Sequence, residues 1–350
     1  MVTAVMEPEI LIDFSKAEVS LDPLTPEQEK IVSRFTEGSL LVDAGPAAGK
    51  TRLTVNFAKN LILNGVDQDD ILMLSFTRVA VKVLKERLAL TERSTLHSHG
   101  FRHSSEARRK FLQKEDFNEL LVGGNRKYKW VICDEAQDLT RAQFKALAQK
   151  GENFLLVGDP WQAIYTWAGA MPELMDIFCE QFCNGRRASL TVNHRSKEGI
   201  VQIGNKFSDR SMTSVRPGGM ITADEPRDYK NLTILFRTNK EVENFSHFLR
   251  VRGFPHTNII TDSNGKTATN ISLDGSKEVT NPKDYFSTLI CTMHASKGEE
   301  WDRVWVRYKP LTSRDIDWEA EERLFYVAIT RAKNELYIED LSYRFIRRLL

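Results

Sequence analysis

The chain has 350 residues, 41% hydrophobic and 28% charged, which allows a sizeable buried core and excludes a low-complexity or disordered protein. Lysine and arginine total 49 against 48 acids, so a net charge of +1 excludes global attraction to nucleic acid, and any such partner must be held by a local basic surface. Four cysteines exclude a disulfide scaffold, and no apolar run approaches the roughly 20 residues of a membrane span.

The first residues, MVTAVMEPEILIDF, carry acids where a signal peptide carries lysines, which predicts an intracellular, cytoplasmic protein without a membrane partner. Residues 1–21 show no strong pattern and are left unassigned. Beyond them, short β-rich runs (LLVDA, ILMLSF, WVICDE, NFLLVGD, LTILFR, STLICTM, DRVWVRY, NELYIED) alternate with helix-length segments. That alternation predicts an α/β fold of parallel sheets with helices on their faces. Two sheet-forming halves, 22–186 and 187–350, are expected to meet at NGRRA, Asn184 to Ala188. Polar stretches at about 102–129, 208–230 and 255–286 read as loops or small insertions.

Between LLVDA and an amphipathic segment lies AGPAAGKT, Ala44 to Thr51. Leu53, Phe57 and Leu61 recur every four residues and Gly65 follows as a C-terminal stop, so strand, loop and helix come in the order a phosphate-binding loop requires. Small residues Ala44, Gly45, Ala47, Ala48 and Gly49, with Pro46 among them, let backbone N–H groups close around phosphate oxygens. Lys50 then reaches the β/γ-phosphates and the Thr51 hydroxyl is a Mg²⁺ ligand. Further on, WVICDEAQD ends an apolar strand in Asp134, suited to the metal shell, with Glu135 beside it as candidate general base. Two exposed acids at a strand end are the alternative reading.

Taken together, these stretches resemble the motifs of UvrD/Rep/PcrA-type superfamily 1 DNA helicases, in order from residue 24 to residue 332. LTPEQ is similar to the Q motif, AGPAAGKTR to motif I, LSFTRVA to Ia, STLHSHGF to Ib, DEAQD to II and LLVGDPWQAIYTWAGA to III. LTVNHRS resembles motif IV, ILFRTN motif IVa, LICTMHASKGEEWDRVWV motif V and EAEERLFYVAITRA motif VI. The resemblance implies two RecA-like P-loop NTPase lobes using ATP and Mg²⁺. It places Gln28 on the adenine edge, Arg52 near the base, Gln162 as γ-phosphate sensor, Glu300 near the ribose, and Arg195 and Arg331 as arginine fingers.

For single-stranded or tailed duplex DNA, the resemblance implies contacts from Phe76, Thr95, His97, Tyr165, Trp167, Arg237, Asn239 and His294. Aromatic faces stack on any base at about 1 to 3 kcal/mol each, which suits a sequence-independent motor. For any one aromatic core packing is the commoner role, and for a lone arginine a surface ion pair; position inside ordered motifs is what favours the DNA reading. The implied activity is an ATP-dependent helicase or translocase moving 3′ to 5′. The alternative is a DNA-stimulated regulatory ATPase that displaces protein without unwinding.

Several positions depart from the family pattern. His194 stands where a tyrosine usually stacks on adenine, Ala168 replaces a DNA-contacting arginine, and Arg78 an asparagine. The gaps where the family inserts accessory domains are too short for a domain, which predicts a minimal core and a possible accessory or loading partner. Cys133 and Cys291 lie in apolar strand-like runs as buried thiols. Cys179 and Cys183, four apart, read as one helix face, and His97, His99 and His103 lack the companions of a zinc site. The basic runs RHSSEARRKFLQK and YRFIRRLL are candidate nucleic-acid patches or solvated faces.

Overall fold

A computed structural model of the chain describes residues 20–34, 38–75, 93–95, 126–261, 267–272, 288–311 and 316–340. Its first sheet is built from β1 (Leu40–Ala44), β2 (Ile71–Ser75), β3 (Arg93–Thr95), β4 (Tyr128–Asp134), β5 (Gly151–Gly158) and β6 (Arg187–Leu190), in the order β3-β2-β4-β5-β1-β6 with every pairing parallel. Strands buried on both faces carry apolar residues at successive positions, as in LLV and ILML, because the pleat sends alternate side chains to opposite faces. Leu40, Val42, Ile71, Met73, Ile132, Leu155 and Val157 pack on one face against α1 (Pro26–Arg34) and α2 (Lys50–Leu63). Leu41, Leu72, Leu74, Val131, Cys133 and Leu156 pack on the other against α3 (Arg141–Ala148) and α4 (Leu174–Phe182). Each fully buried leucine or valine contributes about 1.5–3 kcal/mol, so the two faces together hold the sheet.

The second sheet contains β9 (Met220–Thr222), β10 (Leu232–Phe236), β11 (His256–Thr261), β12 (Thr267–Ser272), β13 (Thr288–Thr292), β14 (Trp301–Tyr308) and β15 (Ala332–Asp340), after a short pair of β7 (Val192–Asn193) with β8 (Thr213–Ser214). Its order is β12-β11-β13-β10-β14-β15-β9, and only the β11–β12 hairpin is antiparallel. Leu235, Cys291, Val304, Val306 and Leu336 face α5 (Glu198–Asn205) and α7 (Trp318–Ile329), whereas Ile234, Ile290, Trp305 and Tyr337 face α6 (Asn239–Val251). Thr238 and Glu241 cap α6 reciprocally, and Asp317 caps α7 by accepting from the Ala320 N–H.

The halves interlock. Ile164 of the first half is buried in the core beneath the second sheet, and Val201 and Met212 of the second half are buried in the core of the first. The expected boundary between residues 186 and 187 needs correcting, because β6 pairs in parallel with β1 from Leu41–Arg187 to Ala44–Leu190. The turn at Asn184 and Gly185, both at positive φ, lies before this strand, and the alternating, half-polar RASL conceals an edge strand from a search for apolar runs. The chain crosses at Thr191, whose N–H and hydroxyl both donate to the Glu27 carboxylate, as does the N–H of Val192. Part of the stretch expected as an insertion at 255–286 instead widens the second sheet as β11 and β12.

Candidate nucleotide site and strand-facing surface

β1, β4 and β5 lie side by side and run the same way, so their C-terminal ends, at Ala44, Asp134 and Gly158, open onto one edge of the first sheet. The loop after β1 turns through Ala47 (φ 56°) and Gly49 (φ 84°) before α2 begins at Lys50. Gly49 suits this turn: its left-handed backbone strains any side chain, and a Cβ there would sit 2.4 Å from Gln28 Nε2, which would have to move. Gln28, fully buried, donates to the carbonyls of Ala48 and Gly49 at 3.1 and 3.3 Å and accepts from the Thr25 N–H at 3.1 Å. Lys50 Nζ folds back toward the Ala44 and Gly45 carbonyls, 3.4 Å from each. Gly65 ends α2 at positive φ, as its position predicts.

Asp134 closes β4 with its carboxylate beside the helix. Oδ2 accepts the Thr51 hydroxyl at 2.9 Å and Oδ1 accepts the Glu135 N–H at 3.0 Å. Glu135 takes the left-handed conformation (φ 57°), and Gln137 Nε2 donates to its Oε2 at 2.5 Å. Burial, then the neighbouring Glu135 charge, pushes the Asp134 carboxyl above the usual range. Burial opposes the charge on Glu135 as well, but Lys50, Lys297, the Gln137 amide and Arg331 outweigh it and hold Glu135 below its ordinary value. Two adjacent carboxyls are thereby driven apart, and the one kept ionised is Glu135.

The opposite wall comes from the second half. Asn193, buried after the crossover, accepts the N–H groups of Arg195 and Ser196 on Oδ1 and donates from Nδ2 to the Pro46 carbonyl of the loop at 3.1 Å. Arg195 reaches Glu300 at 3.0 Å and the Thr330 carbonyl at 2.6 Å. Arg331, 3% exposed, donates to the Val327 carbonyl at 2.9 Å and approaches Gln162 Oε1 at 3.5 Å. Burial, then the Arg195 charge, pulls the Arg331 guanidinium down to about 9, still protonated at neutral pH. A cavity of about 430 Å³ opens beside the loop, lined by Thr25, Gln28, Ala47, Gly49, Lys50, Thr51, Arg52 and Glu135 of the first half and by His194 of the second.

The residues expected on DNA are less uniformly placed. Trp167, 76% exposed, meets Tyr165 edge to face at 6.4 Å, and Lys297 Nζ lies 4.9 Å over the Tyr165 ring. Arg237 is bidentate on the buried Glu321, at 2.8 to 3.1 Å, and Tyr308 donates to the same carboxylate at 2.9 Å. Asn239 opens α6. His294 follows β13; burial, then Arg237, pulls its imidazole down to about 4. Thr95 ends β3, while Phe76, His97, His99 and His103 lie outside the described residues.

Two contacts between the halves are not foreseen from the motifs. Lys297 donates to both oxygens of Asp138, at 2.8 and 2.6 Å, and to the Gln162 carbonyl at 2.7 Å. Burial pushes Asp138 up to about 6 despite that ion pair. Arg210 reaches Asp43 and, at 3.0 Å, Asp159. Asp138 and Lys297 stand inside the DEAQD and HASKGEE stretches, where their charge is a usable signal; Arg210 stands in a polar loop that offers none. The four cysteines are free and buried, no group of three metal-ligating side chains occurs among the described residues, and no helix among them is long and apolar enough to cross a membrane.

Comparison with known proteins gives two family matches: residues 28–168 fit an AAA domain, and residues 266–343 the UvrD-like helicase C-terminal domain. A probable DNA helicase of Mycoplasma pneumoniae is 26% identical over 272 residues, covering 64% of this chain and 46% of that protein. DNA helicase IV of Escherichia coli is 27% identical over 239 residues, covering 60% and 33%. The ATP-dependent DNA helicase PcrA of Staphylococcus epidermidis is 32% identical over 113 residues, covering 31% and 15%. The matched region thus spans less than half the length of each of these relatives. Among solved structures, the arterivirus nonstructural protein 10 helicase superposes with a TM-score of 0.49 at 13% identity, over 92% of this chain and 63% of that one.

Proposed function

This chain belongs to the UvrD-like superfamily 1 helicases, and on that premise we propose that it hydrolyses ATP between its two sheets and couples each cycle to 3′-to-5′ movement along single-stranded DNA. The observation that carries the reading is a cleft with chemistry on both walls. Thr51 and Asp134 meet at 2.9 Å on the first sheet, and Arg331 of the second reaches within 3.5 Å of Gln162.

The residues fit a magnesium nucleotide. A Cβ at Gly49 would be strained and would displace Gln28 from the loop, and a hydroxyl and a carboxylate stand together as a hard-cation donor pair. Thr51 and Asp134 would hold Mg²⁺, which when bound offsets phosphate charge. Lys50, released from the loop carbonyls, takes the β/γ-phosphates, and His194 and Arg52 flank the base. Glu135, kept ionised, accepts a proton from the attacking water as its oxygen bonds the γ-phosphorus and the bond to the β-phosphate oxygen breaks, leaving ADP. Gln162 orients that water, and Arg195 and Arg331 stabilise the charge that develops on the transferred group.

Movement follows from the source of those arginines. They belong to the second half, so the reactive arrangement exists only while the halves are closed, and loss of phosphate releases them. On this reading the exposed Trp167, with Tyr165 beside it on the segment that follows Gln162, holds a base as this happens.

The test is single-strand-stimulated ATPase activity beside unwinding of 3′-tailed and 5′-tailed duplexes. Lys50→Ala is expected to lower ATP turnover by about two orders of magnitude or more, and normal turnover in that variant would sink the assignment. A second reading, a DNA-stimulated ATPase that displaces protein and needs a partner to unwind, is favoured by the short gaps where the family carries accessory domains. ATPase activity without strand separation would select it.

A further inference from the structure

Beside the proposed nucleotide loop lies an ion cluster that no catalytic assignment uses, buried at Asp159 and partly open to solvent at Asp43, whose side chain is 40% exposed. Arg210 belongs to the segment that follows α5, in the second half of the chain, yet its guanidinium lies against the first sheet. There it donates a hydrogen bond to the Asp43 carboxylate at the end of β1, and its Nη1 lies 3.0 Å from Asp159 Oδ1, just past the end of β5, as an ion pair without hydrogen-bond geometry. Its side chain is 11% exposed and that of Asp159 is not exposed at all. The adjacent Asp209 accepts the Trp161 indole N–H at 2.6 Å, which ties the same segment to the sensor turn a second time.

Asp159 in turn organises that turn. Its Oδ1 accepts the Trp161 N–H at 3.1 Å, and its Oδ2 accepts Gln162 Nε2 at 2.7 Å. A carboxamide has one donating and one accepting end, so a carboxylate on its nitrogen forces the oxygen outward. Gln162 Oε1 accordingly faces Arg331. The backbone N–H of Asp159 also donates to Gln137 Oε1 at 2.9 Å, and Gln137 Nε2 holds Glu135.

We propose that Arg210 is a positioning residue for ATP hydrolysis: by pairing its charge with Asp159 it keeps the accepting oxygen of the Gln162 carboxamide turned toward the attacking water. The inference rests on the ATPase reading above and adds a residue to it. A buried carboxylate without its cation is costly, and the side chain relieves that cost by moving or taking a proton, either of which frees Gln162 to turn over. An amide turned the wrong way offers the attacking water a donor instead of an acceptor. Because Arg210 comes from the second half, this orientation also depends on how the halves meet.

The experiment is a double-mutant cycle on the full chain, read as steady-state ATP turnover with single-stranded DNA. Arg210→Met is expected to lower kcat about 10- to 100-fold, the effect of misplacing a catalytic group, with KM for ATP unchanged within about 2-fold. In a Gln162→Ala background the same substitution is expected to change kcat by less than about 2-fold, because the residue it acts through is gone. Arg210→Lys, which keeps the charge but not the fork that spans two carboxylates, is expected to recover part of the loss and supplies the cycle if Arg210→Met does not fold. Equal losses with and without Gln162 would overturn the role, because a general loss of packing acts in both backgrounds. A wild-type chain without ATPase activity overturns the hydrolase reading and this inference with it; an active wild type with additive losses overturns the Arg210 role alone.

Discussion

The guanidinium of Arg331, carried by the second half of the chain, ends 3.5 Å from the carboxamide oxygen of Gln162, carried by the first. The two residues are separated by 169 positions in sequence and are both buried. Their approach gives the cleft one cationic and one neutral hydrogen-bonding group at the place where the γ-phosphate is proposed to react. Arg331→Lys is expected to lower kcat for ATP by about three orders of magnitude, since a lysine cannot reproduce the fork. The KM for ATP should change far less. Turnover within a factor of ten of wild type, in a variant with unchanged thermal midpoint, would remove Arg331 from the chemistry.

Trp167 presents most of its ring to solvent and bears little on the core. Trp167→Ala should therefore leave the unfolding midpoint unchanged while weakening single-stranded DNA binding by about 1 to 3 kcal/mol, the worth of one stacked base. Fluorescence anisotropy with a labelled oligonucleotide at fixed salt checks this, and equal affinities would take Trp167 off the strand-binding surface.

The Lys297–Asp138 pair joins the halves with both partners buried, and Lys297 also lies over Tyr165. Removing one charge from such a pair strands the other. Lys297→Met is expected to cost about 3 to 5 kcal/mol in urea unfolding, and the double variant with Asp138→Asn to regain most of it. A double variant as unstable as the single one would show that the cost lies in lost packing.

His294 carries the clearest pH signature. Its imidazole titrates near 4 in the folded chain because of burial and then Arg237, with Glu321 opposing and Lys297 adding to the shift, against 6.5 when unperturbed. The unfolded chain then binds the extra proton between those values. Stability attributable to His294 is complete above pH 6.5 and falls as the pH drops toward 4, by up to about 3 kcal/mol at 1.36 kcal/mol per unit. His294→Gln should flatten the urea midpoint over that interval, and an unchanged slope would assign the acid sensitivity elsewhere.

The local devices of this chain are legible in the order of its residues. LLVDA, the small-residue loop, the four-residue apolar repeat and Gly65 encode strand, turn, helix and stop, because each follows from backbone preference and side-chain period over a few residues. The paired acids at the end of WVICDE are legible for the same reason. Strand order is different: that β1 lies between β5 and β6 is written in no short stretch, and the polar RASL strand declares itself only through its pairing with β1.

Tertiary structure also decided which charges are spoken for. Arg237 is taken by Glu321, 84 residues away, and Lys297 by Asp138, 159 residues away. Arg210, in a stretch that reads as a loop, is drawn beside the phosphate loop by two carboxylates. Sequence determines what each residue can donate, accept or carry. Which partner it meets depends on strand ends brought to one edge and on two halves folded against each other, and in a buried setting that partner decides whether a charge is a structural tie or a catalytic tool.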